Sequence, residues 1–169
     1  DGFYPLENSS KRVRKRGGFE YILDQNKNAT ATGEHEVVAG KIGKGIRIDK
    51  DNELIFLHKI GNFNLQESFS GNVWVNTEKA DGFQTIMGNI GGKNTGWRGR
   101  IFYLDSLRQP SVKIVHSHSH NYLPVRAKEK INLKEWTTVG FIYDGSTKAG
   151  DIQLYVNGHE VETPIQHDN

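Results

Sequence analysis

Among the side chains able to do chemistry, the most unusual grouping is His116-Ser117-His118-Ser119-His120. On an extended strand, alternate residues share a face. His116, His118 and His120 would then present three imidazoles together, and His-x-His on a strand is a geometry that transition metals use. The sequence places no carboxylate or other fourth ligand beside them, so a polar connection between two strands is the competing reading. Nucleophilic chemistry has less to work with. The chain has no cysteine, which removes the thiolate as nucleophile, metal ligand or disulfide partner. Serine, histidine and aspartate are all present, yet no spacing sets them side by side, and a triad is defined by geometry.

A sugar site asks for an aromatic plane against the apolar side of the ring, with amides and charged groups for the hydroxyls. Trp97 is the only tryptophan set among glycines and polar residues, in Gly91-Gly92-Lys93-Asn94-Thr95-Gly96-Trp97-Arg98. Asn89, Asn94, Arg98, Arg100, Tyr103, Tyr122 and Arg126 could surround it, which makes a polysaccharide or glycan the expected partner. Lys11, Arg12, Arg14, Lys15 and Arg16 form a basic run suited to a sulfated or uronic polysaccharide or to an acidic neighbouring domain. A solvated loop explains that run as well.

Those groups must be held by strands. The apolar pattern is one of short alternating or β-branched runs, separated by glycine, asparagine and aspartate about every ten residues. Strands are expected at Phe3 to Leu6, Phe19 to Leu23, Gly45 to Ile48, Leu54 to Phe56, Gln66 to Asn76 and Gln84 to Asn89. Others are expected at Arg98 to Leu104, Ser111 to His116, Val125 to Ala127, Thr137 to Tyr143, Asp151 to Val156 and Glu160 to Thr163. Residues 9–18 and 26–34 read as loops. In the strand around Trp74, Val73 and Val75 fall on one face and Trp74 on the other. Asn157-Gly158 supplies the positive-φ turn of a hairpin whose first arm alternates Ile152, Leu154 and Val156 with polar residues. The sum is an all-β, two-layer antiparallel sandwich.

At 169 residues the chain is the size of a single domain. A net charge of +2 without a recognition helix argues against nucleic acid. No apolar run approaches the roughly 20 residues that span a bilayer, so no membrane insertion is expected. Asp1 in place of methionine suggests a segment excised from a longer chain.

Gly40-Lys41-Ile42-Gly43-Lys44-Gly45-Ile46-Arg47-Ile48-Asp49 resembles the "GKIGxAxxFDG" opening of laminin-G-like jelly rolls, and Phe69 to Trp74 resembles the strand that follows it. Leu133 to Val139, Tyr143-Asp144-Gly145 and Leu154-Tyr155-Val156-Asn157-Gly158 resemble, in order, the "W-T/H-x-V", "YDG" and "LYVNG" segments of the same family. The resemblance covers Lys41 to Glu162 and implies the concanavalin A-like lectin/glucanase fold, a jelly roll. Gly99 to Leu104, Val125 to Lys128 and Tyr143 to Gly150 resemble one branch more closely, the insert of planctomycete-type cytochrome c multidomain proteins.

The resemblance implies that Trp74 and Trp136 are internal and that calcium is the ion to look for. Asp81, Asp105 and Asp144 end strands and are the candidate ligands, although strand-end aspartates also bond their own turns. Glucanases of this fold carry a Glu-x-Asp-x-Glu triplet, because retaining hydrolysis needs two carboxylates about 5 to 5.5 Å apart. The nearest echo here is Glu160-Val161-Glu162. Two features depart from the family: the tryptophan and glycine usual in the loop at His116 to Asn121, and a closing strand after the hairpin. The expectation is a non-catalytic, lectin-like module of an extracytoplasmic bacterial protein, requiring no cofactor other than an optional calcium ion. The alternative is a structural or protein-interaction domain among the neighbouring domains of a redox-associated chain.

Overall fold

The computed structural model describes residues 11–15, 18–22, 29–32, 36–49, 54–57, 63–64, 66–90, 98–117 and 121–164. Among them there is no α-helix, and nearly every element is a strand in an antiparallel sheet. The chain divides into two compact units, Asp1–Asn62 and Phe63–Asn169.

The first unit holds β1 (Lys11–Lys15), β2 (Gly18–Ile22), β3 (Ala29–Thr32) and β6 (Leu54–Leu57), hydrogen-bonded in that order. A separate hairpin joins β4 (Glu36–Ala39) to β5 (Lys44–Arg47). Two stretches expected as loops are therefore strands. Charge or polarity does not prevent a segment from pairing through its backbone: Val13 pairs with Glu20, and Ala31 with Tyr21 and Ile55. The strand expected at Phe3 to Leu6 lies outside the described residues.

The second unit is the β-sandwich. One sheet runs β11 (Asn121–Arg126), β10 (Pro110–Ser117), β9 (Gly99–Leu104), β8 (Gln84–Gly88). The other runs β14 (His159–Val161), β13 (Ile152–Val156), β12 (Thr137–Tyr143), β7 (Phe69–Val75). Strand alternation decides what lies between them. Phe102, Leu104, Val112, Ile114, Leu123 and Val125 come from the first sheet, and Val139, Phe141, Tyr143, Ile152, Leu154 and Val156 from the second. Together they form one buried cluster. Phe102 and Phe141 touch across the gap, with ring centroids 5.2 Å apart.

The terminal hairpin forms as its sequence predicts. Asn157 and Gly158 take φ of 51° and 81°, and Val156 pairs with His159. Trp74 corrects the family-based expectation. Phe69, Val73 and Val75 pack against the core, so alternation turns Trp74 outward, where it remains 38% exposed. Trp136 is half-buried.

Candidate functional site

The outward face of the β8–β11 sheet is a set of rungs fixed by register. Tyr103 pairs with Ser111, and Ser111 with Arg126. The next rung is Ile101, Lys113 and Pro124, and the one after it Gly99, Val115 and Tyr122. Tyr103, Tyr122 and Arg126, which the sequence reading grouped around a sugar site, thus share one face. The Lys113 ammonium lies 4.4 Å from the Tyr122 ring centroid.

Sequence reasoning missed Phe83. It precedes β8 by one residue, is 56% exposed, and stacks on Tyr103 with centroids 4.3 Å apart and planes 23° from parallel. Its outward parity with Thr85, which pairs with Tyr103, was the available signal. The irregular pairing between Thr85 and Met87 breaks that parity further along β8, which hides it in the sequence. Beside this stack, Arg126 Nη1 lies 3.5 Å from Asp105 Oδ2. Burial pushes the Tyr103 phenol above its ordinary range, against the pull of its Ser111 hydrogen bond. The phenol therefore remains neutral through the physiological range and can donate or accept a hydrogen bond.

The other candidates are placed differently. Arg100 shares parity with Phe102 and Leu104, so it enters the end of the sandwich and not the outer face. Its guanidinium lies 4.8 Å from the Phe69 centroid and donates to the Phe63 carbonyl. Removal from water lowers its pKa. Asn89 closes the β8–β9 hairpin, accepting the Arg100 N–H at Oδ1 (3.0 Å) while its own N–H donates to the Arg100 carbonyl (2.9 Å). Arg98 is exposed just ahead of β9. Trp97 and Asn94 lie outside the described residues.

The β10–β11 pairing is irregular between Val115 and Ser117, and Ser117 then pairs with Asn121. β10 carries His116 near its end. His118 and His120 lie outside the described residues.

The aspartates expected to bind calcium are engaged in turns or exposed. Asp105 Oδ1 accepts the backbone N–H groups of Leu107 and Gln109, each at 2.9 Å. Asp144 Oδ1 accepts the Ser146 N–H at 2.8 Å, and Asp81 is exposed ahead of β8. Among the described residues, no group of three histidine, cysteine or acidic side chains could hold a metal ion. The two glutamates that echo a hydrolase triplet have other neighbours. Glu162 pairs with Lys128 at 3.0 Å, and Glu160 accepts from Gln153 Nε2 at 3.4 Å.

Hydrogen bonds from the Ser146 backbone and side chain hold the Asp144 carboxyl below its ordinary range. A depressed folded-state pKa stabilises the fold above the unfolded value, and that stability fades as pH falls through the folded one. Asp144→Asn is therefore expected to flatten the fall in the urea midpoint below about pH 4, the ordinary carboxyl range, and to leave its slope near neutrality unchanged. An unchanged acid limb would count against the Ser146 contact.

A two-sheet antiparallel jelly roll is an architecture that lectin domains share with other proteins. A laminin-G family model, described as the concanavalin A-like lectin/glucanases superfamily, matches residues 49–168. The chain belongs to that superfamily. No curated protein matches it.

Proposed function

We propose that the chain is a non-catalytic carbohydrate-binding module of an extracytoplasmic bacterial multidomain protein, taking an anionic glycan on the outer face of the β8–β11 sheet. The reading rests chiefly on the stack of exposed Phe83 on half-buried Tyr103 beside Arg126, with Lys113 over Tyr122 on the neighbouring rungs. Aromatic planes take the apolar side of sugar rings, and the cations take carboxylate or sulfate. Superfamily membership supports it. The extracytoplasmic setting follows from the ligand, since anionic polysaccharides are encountered outside the cytoplasm.

Affinity electrophoresis in gels containing dextran sulfate or alginate tests this. Retardation is expected, weakening as salt rises because screening shortens the reach of charges to about 10 Å at 0.1 M. Arg126→Ala and Lys113→Ala should each reduce it several-fold, and a chelator should leave it intact. Free mobility in both gels would sink the proposal.

A second reading is a structural or protein-interaction domain that positions neighbours in a redox-associated chain. What favours it is apolar surface left exposed on the second unit, Leu107 at 59% and Ile142 at 41%. Apolar side chains left at a surface are what a joint between domains would cover.

A further inference from the structure

The chain has a single methionine, Met87, and the fold sets it where the two sheets of the sandwich meet. Thr85 pairs with Tyr103 and shares its outer face, so strict alternation would send Met87 outward as well. The irregular pairing between Thr85 and Met87 leaves Ile86 as an extra residue, and Met87 pairs with Phe102. Ile86 and Met87 therefore both pack against the core. The bulge is what brings the thioether inside.

The sulfur reaches the opposite sheet. A Cβ added at Gly71, on β7, would lie 3.4 Å from Met87 Sδ and 2.8 Å and 3.3 Å from two ring atoms of Phe141. Met87 Sδ and the Phe141 ring thus share the space that the glycine leaves over β7, next to the contact between Phe141 and Phe102. A thioether suits this position because it is polarisable, bends to fill irregular gaps and is attracted to aromatic rings. It ties β8 to β7 across the core.

Access distinguishes this side of the sandwich. Phe102 and Phe141 are buried, as are Leu104, Ile114 and Leu154. Met87 is only half-buried, and so are Phe69, Val73, Val75 and Ile86, which come from β7 and β8, the end strands of their sheets. A small oxidant can reach a sulfur held there.

We propose that Met87 is a modification site for hydrogen peroxide and acts as an oxidation-sensitive clasp between the two sheets. A sulfur lone pair attacks one peroxide oxygen; the S–O bond forms as the O–O bond breaks, and the thioether gives up two electrons. The departing hydroxide takes the remaining peroxide proton and leaves as water. The sulfoxide oxygen is a strong hydrogen-bond acceptor, and Phe102 and Phe141 offer it only apolar rings. An acceptor without a donor is costly to keep there, so the oxidised side chain turns out to water and gives up its contact with β7.

The test is peroxide treatment of the folded chain, with urea-unfolded protein and Met87→Leu treated alongside. Leucine keeps the apolar volume, removes the sulfur and costs the fold little. Peptide mass spectrometry should find one oxygen added at Met87, at a rate within about tenfold of that in the unfolded chain, because susceptibility follows exposure. The oxidised protein should unfold at a lower urea concentration or lose its circular dichroism outright, whereas treated Met87→Leu keeps its midpoint. Protection of Met87 beyond that range in the folded chain would overturn the inference. So would a sulfoxide at Met87 that leaves the midpoint in place, or an equal fall in treated Met87→Leu, which would trace the damage to other side chains.

Discussion

Replacing Gly145 by alanine is expected to cost roughly 2 to 5 kcal/mol of folding stability, the sum of left-handed strain and overpacking. Gly145 follows β12 at φ 88°. An added Cβ would sit 2.8 Å from the carbonyl carbon of Gln66 and closer still to its oxygen. Both neighbours are backbone, so no side chain can rotate away. Gly158 provides the control. Its φ of 81° is nearly the same, but a Cβ there would meet nothing within 4 Å. Gly158→Ala should therefore lose only the conformational part, about 1 to 2 kcal/mol. Urea unfolding of the two variants separates the contributions. Equal losses would mean that the close approach between Gly145 and Gln66 is absent. Against a total stability of about 5 to 15 kcal/mol, the Gly145 effect is large enough to lower the yield of folded protein. The Asp144-Gly145 pair is thus explained by the turn it makes: the aspartate accepts the Ser146 N–H, and the glycine lets the chain pass Gln66.

The same pair shows what a sequence can and cannot reveal. Turns that depend on one residue's conformational freedom, such as Asn157-Gly158 and Asp144-Gly145, are legible because few residue types can replace glycine there. Strands buried on one face are legible from alternation. Applied strictly, alternation also turns Trp74 outward and places Arg100 with Phe102 and Leu104. What stayed hidden depends on pairing. Nothing local in Lys11–Lys15 marks a strand, since its partner supplies the hydrogen bonds. The shared face of Tyr103, Tyr122 and Arg126 arises because two strands pair with β10 in fixed register. Residue types alone group them, but the register that gives them one face is not local to any of their strands.

The second large effect concerns the contact between the sheets. Phe102→Ala and Phe141→Ala are each expected to lose about 3 to 5 kcal/mol, the usual cost of removing a buried phenylalanine. Phe102 is 2% exposed and Phe141 6%. Their coupling is more informative than either loss. The rings belong to β9 and β12, in different sheets, and meet at 5.2 Å with an interplanar angle of 60°. Such a pair is worth about 0.5 to 1.5 kcal/mol beyond the area it buries, so the double variant should lose less than the two single losses combined. Phe141 also meets the edge of Phe69 at 5.6 Å, within its own sheet. A parallel cycle on Phe69 and Phe141 would measure coupling along the sheet and leave the contact across the sandwich to the Phe102 cycle. Strictly additive losses for Phe102 and Phe141 would mean that the two inner faces do not meet there. Coupling between them would place Phe83, Tyr103 and Arg126 on an outer surface of a packed sandwich, as a saccharide site there requires.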